Sequence, residues 1–129
     1  MVRILSAALG VVLIGSGAYA QAKRPLNAAE MQALVGKGLS VASIDNEGGK
    51  KFSGRVNLEA GGRLTGSLNV PGHGAVPLNG TWKLQGNRIC RTLGPAQPEE
   101  VCETWLRAGT AKEVTVQVDG KDVSINRWQ

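Results

Sequence analysis

The chain has one histidine, two cysteines and few aromatic residues, and each scarcity removes a class of function. A closed metal site needs three or four clustered ligands, which His73, Cys90 and Cys102 do not supply, so no metal is expected. Proteins that grip nucleic acid stack bases on aromatics beside a basic stripe. Beyond Tyr19 the only aromatics are Phe52, Trp82, Trp105 and Trp128, and the lysines and arginines are scattered, so nucleic acid is not an expected partner. No nucleophile-elbow glycine-serine pattern, phosphate-cradling loop or HExxH helix occurs, so the chain does not read as an enzyme and no cofactor is implied. Its formal net charge of +5 favours solubility and weak attraction to anionic surfaces.

Long apolar runs are also lacking, with one exception at the start. Met1-Val2-Arg3 is followed by an apolar run from Ile4 to Ala18, then by Ala18-Tyr19-Ala20 ahead of Gln21, the layout of a secretory signal peptide with a small-residue cleavage site. The run is glycine-interrupted and shorter than the roughly 20 apolar residues that a membrane-spanning helix needs. No cysteine follows it to take a lipid. The expectation is cleavage near Ala20, a periplasmic or secreted product, and no transmembrane segment in the mature chain. Removing residues 1–20 leaves 109 of 129 residues and lowers the net charge to +4 as Arg3 departs. A flexible segment over 21–25 and one β-rich domain over 26–129 would remain, the size of a single modest core.

Leu26 to Gly38 reads as a short helix. Asn27 is its cap, Glu30 completes a capping box, Leu26 and Met31 form a hydrophobic staple, and Met31, Leu34 and Val35 make the buried stripe. From Leu39 the period changes to two, with glycine-rich turns about every ten residues. Eight strands are predicted, near 39–45, 52–59, 63–70, 78–84, 88–93, 101–106, 113–118 and 121–127. A three-residue turn at Ala60-Gly61-Gly62 sets Leu58 against Leu64, Val56 against Gly66 and Gly54 against Leu68. Crossing a longer Pro71–Pro77 loop then sets Leu68 against Gly80, Gly66 against Trp82 and Leu64 against Leu84. Around Asp119-Gly120, Val116 is expected to face Val123, and Val114 to face Ile125. Interior glycines opposite large side chains suit a strongly coiled sheet with one dry face. The fold class is therefore all-β, an antiparallel up-and-down meander of about eight strands forming a small barrel or strongly curved sheet with one N-terminal helix. A two-sheet sandwich is the alternative.

Cys90 and Cys102 fall on adjacent strands, and in an exported chain they read as a structural disulfide. His73, in the turn Pro71-Gly72-His73-Gly74, reads as an exposed loop residue. Asn46, Glu47, Asp119 and Asp122 read as turn chemistry rather than calcium ligands. One constellation is sharper. If Gly86-Asn87 is a two-residue hairpin, Trp82 faces Arg91, and the disulfide then makes Arg91 and Glu103 diagonal neighbours on the apolar face, between Trp82 and Trp105. A charged pair there must be satisfied or it is costly. It can orient a small ligand carrying a carboxylate or a cation inside a barrel mouth. The competing reading is a structural ion pair, or a one-residue slip that turns both charges to solvent and Cys90 inward. Trp128 has polar-face parity and no assigned role.

The chain resembles a group of small exported β-proteins of alphaproteobacteria. The resemblance rests on the signal peptide, the helix written Leu26-Asn27-Ala28-Ala29-Glu30-Met31-Gln32-Ala33-Leu34, the glycine-broken strands, and Gly80-Thr81-Trp82 followed by Cys90 and Cys102, and it spans most of residues 26–128. The group implies no activity. The Gly-x-Trp element is also similar to that of lipocalin- and avidin-like barrels, where it belongs to the first strand rather than mid-chain. The functional expectation is a periplasmic binding or interaction module with a small ligand. The alternative is a protein-level inhibitor or envelope-associated structural protein, with an envelope protein as partner, acting through Gln21–Pro25 or the Gly94–Glu100 loop.

Overall fold

The alternating pattern downstream of the helix becomes eight antiparallel strands that close on themselves. The computed structural model describes residues 22–44, 51–95 and 97–129. The expected signal peptide, Gln21, and the turn residues Asn46 and Glu47 lie outside the described residues. The strands are β1 (Lys23–Pro25), β2 (Gly38–Ser43), β3 (Ser53–Glu59), β4 (Arg63–Val70), β5 (Gly74–Gln85), β6 (Arg88–Arg91), β7 (Val101–Ala108), β8 (Glu113–Val118) and β9 (Lys121–Arg127). Sequence neighbours pair from β2 to β9, and pairing of β2 with β9 closes the barrel. The sandwich alternative is not what forms. β1 lies outside the closed ring, continuing the edge of β7 beyond the short β6, with Arg24 opposite Arg107 and Pro25 opposite Leu106. The segment expected to be flexible is thus largely a strand, because β6 is too short to cover the lower half of β7.

Hairpin registers set by short turns match the sequence reading. Leu58 faces Leu64, Val56 faces Gly66 and Gly54 faces Leu68. Two registers differ. Pro71-Gly72-His73 is a tight turn rather than the start of a long loop, with Gly72 and Gly74 both at positive φ and the His73 amide donating to Val70 O at 2.8 Å. β5 therefore begins at Gly74, and Leu64 meets Gly80, Gly66 meets Leu78 and Leu68 meets Val76, a shift of four residues from expectation. The shift is even, so the dry face is preserved. Pro77 is tolerated because this first part of β5 pairs with β4 alone, while β6 pairs only with Trp82–Gln85.

At the other hairpin, Asp119 and Gly120 both adopt positive φ, as a two-residue turn requires. A β-bulge then interrupts β9 opposite Val116/Gln117. Val116 faces Ser124 and Val114 faces Asn126, not Val123 and Ile125. A bulge adds one residue and reverses the alternation beyond it. Ser124 and Asn126 consequently turn inward and are buried, while Ile125 joins Thr115 and Ala42 on the outer wall. Trp128 shares the inward parity. It packs against the core, and the Arg107 guanidinium sits 5.4 Å from its ring centre.

The helix α1 (Ala28–Gln32) has five residues, shorter than expected, and its capping box is complete. Residues 33–37 leave it through i→i+3 turns that end at Gly36, whose φ is +86° and whose amide donates to Leu58 O. Leu26, Met31 and Leu34 enter the core with Leu39, Leu58, Leu64 and Trp105, closing one end of the barrel. Glu30 binds this plug to the wall, accepting from Arg24 at 2.7 and 2.8 Å, from Arg107 at 3.3 Å and from the Asn27 amide at 3.2 Å. The Arg24 hydrogen bonds, and next the Asn27 amide, hold its carboxyl at about 2, below the usual 4.5. A lowered carboxyl stabilises the fold in full above its ordinary value and loses that contribution as pH falls. Glu30→Gln keeps the capping box, so it is expected to cost about 1 kcal/mol at neutral pH. In urea melts the gap to wild type should shrink as pH falls from 4.5 toward 2. A gap that is constant with pH would contradict the ion-pair assignment.

Candidate functional site

The apolar face that the pattern places inside does not fill the barrel. A half-open cavity of about 1230 Å³ leads into the barrel from the end opposite the helical plug. Ligand pockets commonly span roughly 300–1,000 Å³. Leu58, Leu64, Leu78, Ile89 and Trp105 line its deep part, where they belong to the continuous core. Ile44, Lys51, Phe52, Val70, Gly120 and Lys121 line it where β2, β3, β4, β8 and β9 meet their turns, at the end opposite α1. Glycine makes the curvature: a Cβ at Gly54, Gly66 or Gly80 would run into the neighbouring backbone at Ser67 O, Arg55 O or Thr92 O respectively.

Polar side chains also line it: the exposed Lys51, Gln97, Lys121 and Asp122, the half-buried Gln117 and Arg91, and the buried Glu103, Ser124 and Asn126. Arg91 and Glu103 are diagonal neighbours, with Ile89 opposite Glu103 and Arg91 opposite Val101. Their side chains retain only 16% and 11% of their exposure, so the slip that would put them in solvent does not occur. Arg91 Nε donates to Glu103 Oε2 at 2.8 Å, and Trp105 Nε1 donates to Glu103 Oε1 at 2.9 Å. Both carboxylate oxygens are thus held, and Glu103 can neither swing nor protrude. Arg91 Nη1 is buried with no partner in the protein. So is Oδ1 of Asn126, another residue lining the cavity. A buried polar atom left without a partner costs about 1–3 kcal/mol.

Of the four residues the sequence singles out, Arg91, Glu103 and Trp105 line the cavity together and Trp82 does not. Trp82 is opposite Arg91 and on the inward face, but its indole N–H donates to Glu59 O at 2.9 Å, and the ring packs as wall beside Leu84 and the core. Sequence reasoning missed Ser124 and Asn126. The Ser124-x-Asn126-x-Trp128 alternation is visible in the chain, but only the bulge makes it the inner face.

Cys90 and Cys102 form the expected disulfide, directly cross-strand between β6 and β7. It closes a short loop across a sequence separation of 12, which stabilises the fold by about 3 kcal/mol on the chain-entropy account, and it fixes the register that pairs Arg91 with Glu103. The Glu100 carboxylate lies near both sulfurs, but in the disulfide these offer no thiolate to a metal. The Gly94–Glu100 loop carries a single bridge between Gly94 and Gln97, and its described residues from Pro95 to Glu100 are exposed. Lys23–Pro25, the other segment considered for contact with a partner, is tied to β7, and Lys23 Nζ donates to Thr115 Oγ1 at 2.8 Å. Among the described residues, no helix is long and apolar enough to cross a membrane. No protein family, curated protein or solved structure matches the chain.

Proposed function

We propose that the protein is a non-catalytic binding module of the extracytoplasmic space, holding one small, largely apolar molecule inside its barrel. The observation that carries this reading is the half-open cavity of about 1230 Å³, walled in the main by leucine, valine, isoleucine and tryptophan, with the Arg91–Glu103 pair set into the wall and other polar side chains toward the rim. Ligand sites combine an apolar wall with a small number of placed polar groups in this way.

The test uses N-phenyl-1-naphthylamine, a neutral dye whose emission rises in apolar surroundings. The oxidised protein should bind it saturably, one per chain, with a Kd on the order of 10 µM. Trp105 emission should fall in parallel, and Trp105→Phe should remove most of that response. A signal that rises linearly without saturation would overturn the reading.

A further inference from the structure

We propose a metal site on the outer face of the barrel, independent of its interior: once the Cys90–Cys102 disulfide is reduced, the two thiolates and the Glu100 carboxylate bind one zinc-type divalent ion, which takes over the task of joining β6 to β7. Cys90 and Cys102 are directly opposite each other, and alternation puts them on the side of the sheet away from Arg91 and Glu103. Glu100 precedes Cys102 by two residues, so it shares their face. Its carboxylate oxygen and both sulfurs lie within 4.8 Å of one another. From β5, Gln85 brings Oε1 to 3.2 Å from Cys90 Sγ and 3.8 Å from Cys102 Sγ. A disulfide sulfur has no proton to donate, so the bridge gives that oxygen no hydrogen bond, whereas an ion held by the two sulfurs gives it the place of a ligand.

Reduction creates the donor set. A dithiol reductant supplies two electrons and two protons, its own thiols closing to a disulfide while Cys90 and Cys102 become thiols. The ion then displaces one proton from each sulfur and takes two thiolates, the carboxylate and the Gln85 amide oxygen as four ligands. Two sulfurs with two oxygens suit zinc, whereas calcium and magnesium take oxygen alone. With Zn–S of about 2.3 Å and Zn–O of about 2.0 Å, tetrahedral ligands stand about 3.3–3.8 Å apart. The sulfurs therefore separate as their bond breaks, and Glu100 closes in by rotation of its side chain. It is free to do so, because its ion pair with Lys83 is long, at 3.4 Å, and half exposed on both sides, and such pairs hold weakly. Two thiolates and a carboxylate exceed the charge of the ion by one, and Lys83, opposite Cys90 on β5, offsets the surplus. Cys102 is only half-buried, which admits the reductant and the ion.

Cobalt(II) is the spectroscopic probe, titrated without oxygen into the full chain after reduction with dithiothreitol and removal of the reductant. One cobalt per chain is expected, with the intense visible bands of tetrahedral coordination and a near-ultraviolet thiolate-to-cobalt band. Zinc should displace it and calcium should not, and the oxidised chain should give neither band. Glu100→Gln should weaken cobalt binding about tenfold or more. Glu99→Gln, which alters a neighbouring exposed carboxylate outside the cluster, should leave it unchanged. Saturating zinc should also raise the melting temperature of the reduced chain and leave that of the oxidised chain where it is. No tetrahedral cobalt spectrum in the reduced chain, equal affinities in the two glutamate variants, or a reduced chain that unfolds and that zinc does not refold would each overturn the site. None of these outcomes bears on the cavity, whose test uses the oxidised protein.

Discussion

Gly66→Ala is expected to leave little folded protein at 25 °C. Gly66 has φ +139° and faces Val56 across β3 and β4, and a Cβ there would collide with the Arg55 carbonyl, so the two strands would have to separate. Carbonyl oxygens within a hydrogen-bonded ladder cannot step aside as a flexible side chain can. We expect a loss of about 4 kcal/mol or more, comparable to the whole stability of a small domain. Gly61→Ala is the matched control. Its φ is +93°, but no atom lies within 4 Å of the added carbon, so only backbone strain of about 1 kcal/mol applies. Chemical denaturation of both variants checks the contrast, and similar losses would mean that strain, not close approach of the strands, is what these glycines relieve.

Leu68→Trp is expected to abolish binding while the fold survives. Leu68 lines the cavity and is only half-buried, so an indole at this position extends into space the wild-type protein leaves free instead of displacing packed atoms. Overpacking penalties arise where a core is already dense, and here it is not. Affinity for the neutral dye should fall about a hundredfold or more, with a melting temperature within a few degrees of wild type, since about 1 kcal/mol moves a domain of this size by ~4–8 °C. If the variant instead unfolds, the interior is filled, and the binding reading fails with it. Measuring binding and melting on the same sample separates the outcomes.

Much of the wall was legible because local chemistry fixes it. The Asn27–Glu30 capping box, the Ala60–Gly62 turn with its register down to Gly54 and Leu68, and the Cys90–Cys102 pairing that places Arg91 diagonal to Glu103 all depend on residues close in sequence or on a single short turn. Where closure of the barrel intervenes, the pattern misleads. Two prolines in Pro71–Pro77 suggest a long loop, yet the second sits in a strand because its other edge has no strand partner. Apolar Val123 and Ile125 suggest an inner face, yet the bulge turns Ser124 and Asn126 inward.

The site was half legible for the same reasons. Arg91, Glu103 and Trp105 follow from one hairpin and one disulfide. Trp82 has the right parity, but its indole is spent on Glu59 O, a contact made across the Gly62 corner that no periodicity encodes. Asn126 faces inward only because of the bulge in the β8–β9 hairpin, which no alternation in the chain announces. The volume itself is a property of how far glycine lets the sheet curl. Alternation tells which residues face inward, not whether they meet.

The most direct test of a ligand-holding interior is a crystal structure of the oxidised protein soaked with a brominated apolar alcohol, using the anomalous signal of bromine to locate it. A bromine peak is expected inside the barrel, among Leu58, Leu68 and Trp105. An interior filled by its own side chains, with no bromine in it, would contradict the account.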